Sequence, residues 1–404
     1  MKFASFLGLC HLAAGTAIPR GWPQNSSAAL YFLENDPAGA NIVSVQVAGD
    51  GTISNPTRIP TGGKGSIGMN AMGPAAVDTL FSQDAVVVSY PYLLTVNAGS
   101  NDVSLFSIAE DPLAPRLVAP PAPSGGEFPN SVAYSPALGL ACVSNTGARA
   151  GVQCYSVGPS GLEPRGAFKP IAAGGLRNQT SPPVGPPNTV SDAVFNPSGT
   201  ALFVTVKGDG TDPGYIYAYP VVAAPKSQQH HGDKGKGKGK AEVAAEARVS
   251  RPAELGLDFS LTFLGTDRRA FVTDPGFGGA FLDISCDHAV TVARVANITG
   301  QMASCWSQYS ATHDSVYVFD AGAPDIAVYG AGSGELATVV RGDAAAVGKF
   351  DAVVAGDFLY TLDGAASITV YSLADGGEPV AVQTLDLAAF GNRQFFQGLA
   401  FHSR

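Results

Sequence analysis

The chain has 404 residues and a formal net charge of -9, with 45% apolar and only 14% charged residues. That acidic balance excludes the basic face a nucleic acid needs and the polybasic patch of a membrane anchor. Its 49 glycines and 29 prolines punctuate the chain too often for long helices, so many short strands joined by turns are expected.

Residues 1–17 open with Met-Lys, continue as a short apolar run and end on Gly15-Thr16-Ala17. This reads as a secretory signal cut after Ala17, and it is shorter than the roughly 20 apolar residues a membrane span requires. Residues 18–27 form an N-terminal tail. A hairpin unit then begins: an apolar strand, a turn led by Asn or Asp near glycine, and a second strand with period-2 alternation. The first copy is LYFLENDPAGANIVSVQV at 30–47, and the second is LLTVNAGSNDVSLFSI at 93–108. LACVSNTGARAGVQCYSV follows at 140–157, then LFVTVKGDGTDPGYIYAY at 202–219 and AFVTDPGFGGAFLDI at 270–284. The last two are VYVFDAGAPDIAVYG at 316–330 and LYTLDGAASITVYSL at 359–373.

Most copies follow a further apolar strand, as in SVAYSP at 131–136 and DAVFNPSG at 192–199. With a more variable outer strand, each unit makes one four-stranded propeller blade. Turn markers recur roughly 40 to 70 residues apart, the spacing of blades. The predicted fold is all-β: a seven-bladed β-propeller over 28–404. The first copy lacks its preceding strand and the last is followed by an extra one, 395–401. That C-terminal strand is expected to complete the first blade and close the ring. A two-domain β-sandwich array would leave the recurrence unexplained.

Secretion makes the cysteines legible. Cys10 leaves with the signal, and Cys142, Cys154, Cys286 and Cys305 remain as two expected disulfides with three possible connectivities. Cys142 and Cys154 sit symmetrically about a hairpin turn, which favours their pairing, and Cys286–Cys305 follows by elimination. Sequons at Asn25, Asn178 and Asn297 are expected glycosylation sites. Residues 222–251 interrupt the blades with a lysine–glycine run and read as a disordered basic insert. His230-His231 within it could meet a metal, but a solvated loop is the simpler reading; no metal site and no cofactor is implied. Arg341-Gly342-Asp343 matches an adhesion tripeptide, a match too short to carry weight.

The segments VNAGSNDVSLFSI, PNSVAYSP and SDAVFNPSGTALFVTV resemble the lactonase-type seven-bladed propeller family. That family includes propeller-type 6-phosphogluconolactonases and fungal 3-carboxymuconate cyclases, and the likeness is closest to secreted fungal cyclase-like proteins. The resemblance implies a pocket at the channel mouth and a histidine after a proline where an inner strand starts. Here Phe128-Pro129-Asn130-Ser131 places Asn130 at that position, and an amide cannot shuttle a proton as imidazole can.

Hairpin turns and inner-strand starts share one face of a propeller, where pockets form. Asn130, Ser131, Asn145, Arg149, Asn188 and Lys207 are the candidate ligand-binding residues there. Asp192 and Asp351 are the candidate acid–base carboxylates, with Arg149 or Lys207 holding a substrate carboxylate. His313 is expected on the opposite face in solvent. Three readings follow. One is an extracellular binding or surface protein with a degenerate pocket, with cell-wall association as one setting. Another is a lactone hydrolase or muconate cyclase. A third is a carbohydrate- or adhesion-type module. The ligand classes are a small lactone, a carboxylate or a glycan.

Overall fold

The computed structural model describes residues 28–223 and 241–403. Seven antiparallel sheets follow one another around a central channel, and in blades two to seven the innermost strand comes first. Blade one is Ala28–Glu34, Asn41–Val47 and Ile53–Pro60, completed on its inner side by Phe396–Ser403. Ala28 stands opposite Ser403 and Glu34 opposite Phe396, so the two ends of the described ring are sewn together as expected. The inner strands of blades two to seven are Val86–Ser89, Pro129–Ser135, Val190–Phe195, Leu261–Thr266, Ser304–Ser310 and Lys349–Ala355.

The apolar alternation read from the sequence becomes contact between neighbouring blades. Ala201, Phe203 and Ile216 of blade four pack on Val272, Ala280 and Leu282 of blade five. Phe203, Ile216, Val272 and Leu282, each fully buried, contribute roughly 1.5–3 kcal/mol apiece. Such interfaces recur around the ring, and no single core dominates. In blade three Cys142 lies directly opposite Cys154, and the expected disulfide is present. At a sequence separation of 12, loop-closure entropy gives it about 3 kcal/mol.

Two expectations need correction. Cys305 is a free, buried thiol, so the bond from Cys286 to Cys305 is not made. The reason is register: Cys305 starts an inner strand at the channel mouth, whereas Cys286 follows the far end of Gly278–Ile284 on the opposite face. The insert is also narrower than 222–251. Tyr215–Ala223 is one continuous strand, and Ala241–Val243 and Arg248–Ser250 both pair with it as the outer edge of blade four. Residues 224–240 with His230 and His231, the expected signal 1–17, the expected tail 18–27 and Asn25 lie outside the described residues. Among those described, no helix is long and apolar enough to cross a membrane.

Candidate functional site

Two long connections lie over the mouth face. One joins blade one to blade two (61–85) and the other joins blade three to blade four (171–189). They meet where Met69 N–H donates to Pro183 O and Gly185 N–H donates back to Met69 O, both at 2.8 Å. Gly68 and Gly185 both face the Phe81 ring, and a Cβ there would come within 2.4 and 2.8 Å of it. Beyond this junction the first connection turns down into the channel.

Residues 78–84 are stitched to three blades. Asn130 Nδ2 of blade three donates to Leu80 O at 3.3 Å and to Val190 O at 2.7 Å. Ser82 Oγ donates to Asn130 O at 2.6 Å. From blade four, Lys207 Nζ donates to Phe81 O at 2.6 Å, while Gln83 N–H donates to Ser191 O at 2.9 Å. From blade six, Trp306 Nε1–H donates to Ser82 O at 3.2 Å. The path is tight: Asp78, Phe81 and Asp84 all have positive φ, at 49°, 56° and 59°. Each such non-glycine residue costs of order 1–3 kcal/mol and persists only where its surroundings dictate it.

Beneath and around this segment lies a set of charges. Asp192 Oδ2 accepts the Leu261 N–H at 2.9 Å, and burial raises its carboxyl to about 7. Burial holds Asp84 and Asp351 well above the usual carboxylate range, and repulsion from Asp192 adds to it in both. Asp351 Oδ2 and both oxygens of Asp258 have no hydrogen-bond partner among the described residues. Burial drives the Lys207 ammonium down to about 7 against the pull of Asp78 and other acids. Asp78 rises to about 6 by burial, with Lys207 opposing. Asp78 and Asp84 each keep some exposed surface.

An aromatic arc runs along the same rim from blade four to the C-terminal strand. Lys207 Nζ sits 4.3 Å from the centre of the Phe259 ring. Phe259 meets Trp306 at 5.0 Å, Trp306 meets Phe350 at 5.2 Å, and Arg393 lies over Phe350 at 5.1 Å. Burial lowers Arg393 to about 10, and its Nη2 has no partner among the described residues.

The structure thus brings Asn130, Ser131, Asp192, Lys207 and Asp351 to the channel. Ser131 Oγ accepts the Ala193 N–H at 3.0 Å and lies 3.5 Å from Asp192 Oδ1. The others fall elsewhere. Asn145 is buried in its hairpin, donating to Ser124 O and Gly151 O. Arg149 is exposed over the Phe168 ring, 4.8 Å from its centre. Asn188 belongs to the second covering connection, with its backbone O held by Gln179. His313 corrects an expectation: it is on the far face, but its side chain is only 11% exposed and stands 3.1 Å from Asp357. Gly377 packs on it, which removes it from solvent. Asn178 and Asn297 are both exposed.

Sequence reasoning missed Asp78, Asp84, Asp258, Arg393 and the aromatic arc. One signal was available: residues 61–85, between the first two hairpin copies, form a stretch with no strand pattern. Among the described residues, no group of three or more His, Cys, Asp or Glu could hold a metal ion.

No protein-family model matches this chain, and no curated protein does. Solved structures do share its fold. The periplasmic gluconolactonase of Pseudomonas aeruginosa is similar with a TM-score of 0.66 and 14% identity, over 93% of this chain and 99% of that one. A putative 6-phosphogluconolactonase from Bacteroides uniformis gives 0.62 and 16%, over 94% and 100%. A putative 6-phosphogluconolactonase from Bacteroides fragilis gives 0.60 and 13%, over 93% and 98%. At such identities the likeness establishes the fold alone, a seven-bladed β-propeller.

Proposed function

We propose that this chain is a secreted, glycosylated propeller that works as an extracellular binding or surface protein, its channel mouth closed to lactone chemistry. One observation carries the reading: the side chains best placed to serve a substrate are spent on the protein itself. Asn130 and Lys207 donate to the backbone of residues 78–84, and both are almost fully buried. Asn130 also stands where imidazole would be needed, and cannot replace it as a base. The signal-like N-terminus, the Cys142–Cys154 bond and the exposed sequons at Asn178 and Asn297 support export and glycosylation. A small lactone, carboxylate or glycan remains the ligand class, with wall association as one setting.

The second reading is lactone hydrolysis, and a specific observation favours it. Asp192 and Lys207 both change charge near neutral pH in one channel, as acid–base groups must. The gluconolactonase and 6-phosphogluconolactonase structures of the same fold give it weight by analogy. The test is hydrolysis of a sugar-lactone panel, and cyclisation of 3-carboxymuconate, by the purified protein at pH 6.5. The binding reading expects no turnover above an Asp192→Ala/Asp351→Ala double variant. Turnover that this variant abolishes overturns it. Glycan-array binding then separates a carbohydrate module from a surface protein of other kind.

A further inference from the structure

Outside the channel, the mouth-side rim between blades four and five holds a separate cleft. Its walls come from the blade-four hairpin turn 207–214, the connection 251–260 and the blade-five turn 274–278. It encloses about 280 Å³, room for one small ligand. Asp274 is built into this cleft, although the residue is only 1% exposed. The backbone N–H groups of Gly256 and Leu257 donate to its Oδ2 at 2.7 and 2.9 Å, and that of Gly276 donates to its Oδ1 at 2.9 Å. A carboxylate accepts about four hydrogen bonds, so these three fix its orientation and leave one acceptor position on Oδ1.

The backbone around that carboxylate is bare. A Cβ on Gly276 would stand 3.1 Å from Oδ1, and one on Gly256 would stand 3.9 Å from Oδ2 and 3.6 Å from Gly210 Cα. A Cβ on Gly210 would meet nothing within 4 Å. Glycine at these positions keeps Asp274 within reach of a molecule in the cleft. Phe277 lines the same space and is half-buried, so part of its ring is free to pack on a ligand. The rim is acidic: Glu254 lines it and is exposed, and Asp209 and Asp212 lie exposed in the blade-four turn. Arg251 beside them is engaged elsewhere, over the Tyr215 ring at 4.6 Å and donating to Pro213 O at 3.4 Å.

We propose that the cleft between blades four and five is a binding site for a single amino sugar in its pyranose form. Asp274 Oδ1 accepts a hydrogen bond from the sugar ammonium or from the hydroxyl next to it, and a charge-assisted bond of this kind is the stronger sort. The apolar C–H face of the ring packs on Phe277 by dispersion. The acidic rim attracts a cationic sugar and repels a sugar acid of the same shape. The site lies outside the channel, so it goes beyond the reading of the channel mouth and does not depend on it.

Titration calorimetry of the purified protein with glucosamine at pH 6 is expected to show roughly millimolar binding at one site, since the cleft offers one charged contact and one ring face. Glucuronate, the same ring with the opposite charge, is expected to bind at least about tenfold more weakly. Gly276→Ala leaves every charge in place and sets a methyl beside Oδ1, so it should weaken glucosamine binding about tenfold. Gly256→Ala fills the space between Gly210 and Asp274 at ordinary contact distances, and repeats the test should the closer approach at 276 disturb the fold. Neither glycine has a positive φ, so an unchanged Tm is expected of both variants. Phe277→Leu keeps an apolar side chain and should cost about threefold through the lost ring face. Absence of glucosamine binding up to about 20 mM overturns the proposal. Equal affinity for glucuronate overturns it too, as does binding that both glycine variants leave unchanged. Lactone turnover reads the channel and this titration reads the rim, so the site and the proposed function can fail separately.

Discussion

Lys207 and Lys349 are both buried on the mouth side of this propeller, and they live in opposite electrostatic worlds. Lys349 of blade seven touches Asp363 at 2.6 Å, and that carboxylate also accepts from Thr361, Ser367 and Thr369. The pair holds Lys349 above its ordinary value even though burial alone would lower it. Lys207 of blade four has acids around it but bonds only to a carbonyl and a hydroxyl, and it falls to about 7. Direct contact turns one charge pair into a fixed strut. Distance leaves the other charges able to titrate, which is the property a switch or an acid–base site requires.

The largest expected effect comes from breaking the strut. Asp363→Ala strands Lys349 and three hydroxyls in the blade interior, and should cost about 3–5 kcal/mol, read as a drop in the urea unfolding midpoint. A loss below about 1 kcal/mol would mean that the contact is not what secures blade seven. Next, Asn130→Ala removes the amide that ties residues 78–84 to blades three and four. Leu80 O and Val190 O lose a donor, for a loss of about 2 kcal/mol in the same measurement. Lys207→Met should cost less, about 1 kcal/mol, because an apolar chain of similar length fills the site beside Phe259; Phe81 O loses its partner, while Thr189 Oγ1 loses a donor but keeps its bond to Pro186 O. If Lys207→Met proves as damaging as Asp363→Ala, the contrast between the two lysines fails.

The smallest effect sharpens the comparison by pH. Asp192 has a raised folded value, so its share of stability is present in acid and lost as pH climbs from about 4 to about 7. Unfolding free energy of Asp192→Asn should therefore depend less on pH between 5 and 7 than that of the unaltered chain. Identical slopes would show that Asp192 does not titrate in this window.

The ring itself was legible because its cause is local. Alternation as in Val103-Ser104-Leu105-Phe106, turn residues such as Asn97 and Asn145, and the orphan strand at 395–401 each state a strand, a turn or a missing partner without reference to distant residues. Cys142 and Cys154 were legible for the same reason, sharing one hairpin. The Cys286–Cys305 expectation failed because elimination ignores which face each residue occupies. Asp192 and Lys207 were recognised as pocket candidates from their place at a strand start and a turn. Their burial, and what they bond, could not be read there.

The sequence by itself determined the blade count, the closure of the ring and the face on which turns gather, since these rest on period-2 patterning and on φ preferences confined to a few residues. Only the tertiary structure decided that residues 78–84 enter the channel. It alone set Asp84 against Asp192 and Asp351, and joined Phe259, Trp306 and Phe350 into one rim. Those relations link positions as far apart as Ser82 and Trp306. Neither the bonds that seat a loop nor the desolvation that shifts a carboxyl leaves a periodic trace in the chain.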